Sequence, residues 1–197
     1  PKKSVDISRK AELYETSSGM ITITGGKLTT FRRMAKLAVD RLVEREARDA
    51  PCRTQEIPLG QSVEPGELQR VEGVPEESYG ALASRYGYAA GEVLEIAATR
   101  GELAQPIVDG LPDILAEAVQ AVRREQARTV GDVLLRRTRL GLLAARELAD
   151  PADGPVARVA AAMGGELGWD PDRMAQEVRR FGEEARAEGT VVEERQP

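Results

Sequence analysis

Two glycines and a lysine, Gly25-Gly26-Lys27, stand between a stretch that reads as a strand and one that reads as a helix. Residue types in that order can hold a negative group. The glycines turn where a residue with a Cβ cannot, and they let another group approach the backbone. The first N–H groups of the following helix and the positive end of its dipole then converge on one spot, and Lys27 adds a full charge. Two elements must position the device. Met20 to Thr24 alternates side-chain types and is rich in β-branched residues, the pattern of a strand. Phe31, Met34, Ala35, Ala38 and Leu42 recur at helical spacing, with Arg32, Arg33, Lys36, Asp40 and Arg41 on the other face. Thr29 or Thr30 is the expected N-cap.

Two common phosphate motifs are excluded. A P-loop needs a glycine five positions before Gly26 and a Ser or Thr after the lysine, and the chain has Ile21 and Leu28 there. The dinucleotide fingerprint fails because no spaced glycines follow Gly26. By spacing alone, an anion site and an ordinary glycine turn with a solvated Lys27 both remain open.

The run Ser18 to Ala35, SGMITITGGKLTTFRRMA, resembles the signature late in FAD-dependent glycerol-3-phosphate dehydrogenases. Ser8-Arg9 resembles a Ser/Thr-Arg pair that precedes that signature. Pro51-Cys52-Arg53-Thr54 with Ile57-Pro58-Leu59 resembles the linker after it. Glu125 to Leu134 with Arg136-Arg137-Thr138-Arg139, and Glu166 to Asp170, resemble the family's helical C-terminal domain. The likeness covers most of the chain, in the family's order.

The resemblance implies the C-terminal portion of a flavoprotein that oxidises glycerol 3-phosphate to dihydroxyacetone phosphate. Hydride would pass to FAD, and the electrons to a quinone. It places Gly25, Gly26, Lys27, Leu28 and Thr29 at the flavin, the last two through their backbone groups. Arg9 would reach the substrate phosphate, where a planar guanidinium can pair two oxygens at once, and Lys27 that phosphate or the flavin. Arg9 otherwise reads as a surface arginine beside Glu12 or Asp6. No catalytic base is expected in this chain: the family's proposed base is an upstream histidine, and the chain has none. It also lacks the family's opening glycine-rich segment for FAD, so the fragment alone is expected to be inactive and to need its upstream FAD-binding domain. The implied location is cytoplasmic, peripheral at the inner face of the membrane, with a homodimer left open.

Composition narrows the alternatives. The chain has 197 residues, 41% apolar and 31% charged, with a net charge of −5, enough for a core in one domain or two small ones. Aromatic content of 4% and the acidic balance argue against nucleic acid as a partner. Cys52 is the single cysteine, which excludes an intramolecular disulfide and fits a reducing compartment. With no histidine, no metal site is expected. No apolar run approaches a membrane span.

The expected fold is mainly α. Short N-terminal strands in a hairpin and one helix would be left from an FAD-binding α/β domain, followed by an all-α domain. Val5 and Ile7 suggest a first strand, Leu13 to Thr16 a second, and Met20 to Thr24 a third, with Ser17-Ser18-Gly19 as a turn. The signature helix should run from 30 to about 49 and break at Pro51. Residues 1–50 then form the remnant, 51–63 a linker, 64–189 the helical domain and 190–197 a frayed tail.

Within the helical domain, Pro65 and Pro75 suit first turns. Helices are expected before Gly87 and Gly101, from Pro112 through Val122, from Val130 to about Ala145 with Thr129 as N-cap, from Pro155 with an end weakened by Gly164-Gly165, and from Pro171 with Asp170 as N-cap. Arg123, Arg124, Arg128, Arg136, Arg137 and Arg139 read as an ion-pair network with Glu117, Glu125 and Asp132 rather than a ligand surface, and Trp169 as a core anchor. Two other functions compete with the dehydrogenase: an oxidase branch using oxygen, and a non-catalytic helical interaction module. The latter has no need for Arg9, Gly25, Gly26, Lys27 and Thr29 in that order.

Overall fold

The structure, a computed structural model, describes residues 10–149 and 154–190. It is mainly helical, with one small antiparallel hairpin, as the sequence suggests. The chain divides into two compact units, Pro1–Leu59 and Gly60–Pro197.

In the first unit β1 (Ala11–Glu15) pairs with β2 (Ile21–Gly25), setting Leu13 opposite Ile23 and Tyr14 opposite Thr22. The turn between them closes through Thr16, whose carbonyl accepts from Gly19 N–H at 2.9 Å and whose N–H donates to Met20 O at 3.0 Å. Two strands alone are marginal in water, and helix α1 (Phe31–Arg45) steadies them. Arg41 of α1 pairs with Glu15 at 2.8 Å, and Arg45 Nη1 donates to the Gly19 carbonyl at 2.6 Å. The expected strand around Val5 and Ile7 lies outside the described residues.

Helix α1 is shorter than its sequence suggests. Ala47 turns to φ +49, its N–H donates to Glu44 O at 3.1 Å, and Arg48 N–H donates to Val43 O at 3.0 Å. This reversal ends the helix. The apolar face divides as well: Met34 and Ala38 are half-buried, whereas Phe31 stays 63% exposed and Leu42 is exposed too.

The second unit holds the core. Helices α2 (Glu76–Tyr86), α3 (Ala90–Thr99), α4 (Ala116–Glu125), α7 (Pro155–Leu167) and α8 (Pro171–Ala187) surround Leu82, Val93, Val119, Leu134, Val159 and Met163, all without solvent exposure. Pro75 is the residue before α2 rather than in its first turn, while Pro65 opens a short 3₁₀ turn as expected. Asp170 caps α8, its Oδ1 accepting from Arg173 N–H at 2.7 Å.

Two expected helices differ. No helix starts at Pro112: Ile107 N–H donates to Asp113 O at 2.7 Å and Leu115 N–H to Gln105 O at 3.0 Å, so Gln105–Leu115 is a closed loop and α4 begins at Ala116. The stretch after Thr129 breaks into α5 (Val130–Leu134) and α6 (Leu140–Leu143). Thr138 causes the break. Its N–H and hydroxyl both bond to Val133 O, at 3.0 and 3.1 Å, in place of continued helix, and Arg139 turns to φ +59. Helix α7 passes through Gly164 and Gly165 to Leu167 and ends at Gly168 with φ +68. Gly164 gives room to Met174 of α8, whose Cε would lie 2.6 Å from a Cβ there.

Candidate functional site

Gly25 and Gly26 both take positive φ, +74 and +80, which a residue with a Cβ adopts only at a cost. Gly26 N–H extends the hairpin by one bond, to Lys10 O at 3.2 Å. The side of Gly26 where a Cβ would stand is filled by the Met34 thioether. The chain then straightens at Lys27, φ −125 and ψ 151, and winds through a 3₁₀ turn, Leu28–Thr30, directly into α1.

Thr30 is the N-cap of α1, but its hydroxyl does not cap the helix. It turns back on Lys27, accepting from Lys27 N–H at 3.1 Å and donating to Lys27 O at 2.8 Å. Lys27 N–H is therefore committed inside the chain. The N–H groups of Leu28 and Thr29 open the turn, where no intrahelical acceptor reaches them. Leu28 is 91% exposed, and Lys27 and Thr29 are exposed beside it. The tip presents two backbone donors, the positive end of a helix and an ammonium to the surface, a donor set suited to an anionic edge or a phosphate.

Five of the six expected site residues, Gly25 to Thr29, therefore form one surface feature, and Arg9 lies outside the described residues. The roles of Thr30 in fixing Lys27, and of Arg41 and Arg45 in clasping α1 to the hairpin, were not visible in the sequence. The partners Thr30 and Lys27 are only three apart, but nothing in spacing says which way the hydroxyl turns.

Four of the arginines singled out in the sequence are engaged with carboxylates in the second unit. Arg123 pairs with Glu166 through two bonds, 2.7 and 2.9 Å. Arg124 reaches Glu92 at 3.0 Å, Arg136 reaches Glu184 at 2.6 Å, and Arg137 reaches Glu125 at 2.7 Å. Arg137 also donates to the carbonyls of Asp132, at 2.7 Å, and Glu125, so it ties the end of α4 to α5. For these four the expected ion-pair network forms with partly different partners, since Glu117 pairs with Arg85, while no such pair is found for Arg128 or Arg139 among the described residues. Trp169 packs against the core, with the Arg173 guanidinium 5.6 Å from its ring centre.

The family of the C-terminal domain of alpha-glycerophosphate oxidase matches residues 52–174. The chain belongs to this family. Among relatives, glycerol-3-phosphate dehydrogenase 1 of Mycobacterium bovis is 40% identical over 72% of this chain and 27% of its own length. Aerobic glycerol-3-phosphate dehydrogenase of Bacillus subtilis is 34% identical over 68% of the chain and 27% of its length. Glycerol-3-phosphate dehydrogenase of Synechocystis is 30% identical over 92% of the chain, a share that neither unit alone can supply, and 34% of its own length. The chain thus spans about a quarter to a third of these relatives. The resemblance to the C-terminal part of glycerol-3-phosphate dehydrogenases holds for both units of the alpha-glycerophosphate oxidase C-terminal-domain chain.

Proposed function

We propose that this chain is the C-terminal part of an FAD-dependent glycerol-3-phosphate dehydrogenase and supplies the loop that faces the flavin. The observation that carries the reading is the paired positive-φ turn at Gly25-Gly26, which delivers Lys27 and the Leu28 and Thr29 N–H groups to one exposed tip. That donor set fits the electron-rich edge of a flavin. FAD, when bound, would supply the hydride acceptor for C2 of glycerol 3-phosphate, the C2 hydroxyl proton going to a base, with dihydroxyacetone phosphate as product. Lys27 and the two N–H groups stabilise the negative charge that grows at that edge, which is how a protein tunes a cofactor that performs the hard step. Arg9 pairs with the substrate phosphate and orients it. The upstream part of the protein supplies the remaining FAD contacts and the base.

The electron acceptor in this reading is a quinone, met by peripheral contact at the inner face of the cytoplasmic membrane. No helix among the described residues is long and apolar enough to cross a membrane. The name of the matched family keeps oxygen as a second acceptor. One experiment tests both. The full-length protein is purified, its visible spectrum recorded, and glycerol 3-phosphate oxidised with a soluble quinone or with oxygen alone. Flavin bands with quinone-dependent turnover support the dehydrogenase, peroxide formation at a comparable rate the oxidase. Absence of flavin overturns the reading.

A further inference from the structure

Glu117, in the first turn of α4, is 1% exposed, and Asp113, at the end of the Gln105–Leu115 loop, is 4% exposed. Both meet one cation. Arg85 Nη2 lies 2.7 Å from Asp113 Oδ1, and Arg85 Nη1 hydrogen-bonds to Glu117 Oε1. Ile114 N–H donates to the other Glu117 oxygen at 2.9 Å. Two buried carboxylates thus share one guanidinium, an arrangement that carries one negative charge in excess when both are ionised. Buried charge without a full counter-charge is costly, and two adjacent carboxylates relieve it by keeping a proton.

Among the described residues, the groups facing this cluster supply no second cation. From α2 come Arg85 itself and Tyr86, whose hydroxyl is pushed up by burial and then by Glu117 and Glu125, and so stays neutral. From α3, Glu92 is taken by Arg124 and by Gln120 of α4. From α7, Arg158 faces the same loop but donates to the carbonyls of Pro106 and Ile107, at 3.2 and 2.8 Å. Burial, reinforced by Asp113 and opposed by Arg85, pushes the Glu117 carboxyl up to about 7.

We infer that Glu117, buried beside Asp113 on one shared guanidinium, is a proton-binding latch: one proton held there at and below neutral pH clamps the Gln105–Leu115 loop to α2 and α4, and its release to solvent at higher pH loosens that loop. The loop is built to register the change. Asp113 gives its side chain to Arg85 and its carbonyl to Ile107 N–H, so the ion cluster and the bond that closes the loop share one residue. This inference is independent of the flavin reading.

The test is amide exchange and carboxyl titration in the 197-residue chain. A group that titrates near 7 in place and near 4.5 when released makes loop opening about tenfold more frequent at pH 8.5 than at pH 6. Exchange at Ile107 and Leu115, corrected for intrinsic base catalysis, is expected to accelerate by that factor, while Val119 and Val159 change little. Asp113→Asn removes the like charge, keeps the Arg85–Glu117 pair, and is expected to lower the Glu117 midpoint and weaken the acceleration, while burial keeps that midpoint above the ordinary carboxylate range. Glu117→Gln is expected to abolish it. If that variant fails to fold, Asp113→Asn carries the test alone. A Glu117 carboxyl titrating in the ordinary carboxylate range, or an Asp113→Asn midpoint equal to that of the parent chain, overturns the latch.

Discussion

The thioether of Met34, one turn into α1, fills the space where Gly26 would carry a Cβ. The contact joins the turn after β2 to the helix that the turn launches, and it sets where Lys27 emerges.

Gly26→Ala is therefore expected to destabilise the first unit by two separable effects. Positive φ costs an alanine about 1–2 kcal/mol, and displacing Met34 adds to it. Urea unfolding of Gly26→Ala and of Gly26→Ala with Met34→Ala checks this. The double variant should lose the steric part and keep the backbone part.

Gly87 is the corresponding point in the second unit. Its φ of +55 with ψ −134 suits glycine alone, and a Cβ would strike the Gln61 carbonyl oxygen. That oxygen also accepts from Tyr88 N–H at 2.9 Å, so it cannot move cheaply. Gly87→Ala is expected to cost about 3 kcal/mol or more. Gly80, on the exposed side of α2 with nothing within 4 Å of a Cβ, is the control. Gly80→Ala should stabilise by about 0.5–1 kcal/mol, and thermal unfolding of both variants checks the pair.

Thr129 caps α5 from Oγ1 to Asp132 N–H at 3.2 Å, while Asp132 Oδ2 accepts from the N–H groups of Arg128 and Thr129 at 2.9 and 3.0 Å. Thr129→Ala is expected to cost about 1 kcal/mol. Burial works to raise the Asp132 carboxyl, but these hydrogen bonds outweigh it and hold the group below its usual range. A lowered carboxyl contributes stability above its unfolded value and loses it as pH falls through the folded one. The slope is opposite to that of Glu117. Stability curves of Asp132→Ala against pH should converge with those of the parent chain in acid.

Local signals were the legible part of this molecule. Asp170-Pro171 and Thr129 with Asp132 announce caps because the side chain and the N–H it serves are three residues apart. Gly25-Gly26 announces a turn because positive φ selects glycine. The broken helix after Leu134 was hidden, because Thr138 bonding to Val133 competes with a helical pattern that its neighbours satisfy equally well. Ile114 and Leu115 fit a helix face and a closed loop alike, and Asp113 decides for the loop through a carbonyl that any residue possesses. The Arg85–Asp113–Glu117 cluster joins residues about thirty apart, beyond the reach of spacing. The Phe31 side of α1 reads as apolar, and periodicity does not tell what covers it.

The central claim is that Lys27 and the turn before it serve a flavin. Its most direct measurement is flavin content and turnover of glycerol 3-phosphate in the full-length protein with Lys27 intact and with Lys27→Ala. The expected result is retained FAD with kcat lower by about 10²-fold, the scale for losing one preorganised donor at a developing charge. Turnover unchanged by Lys27→Ala would contradict it, leaving Gly25-Gly26-Lys27 as a turn and nothing more.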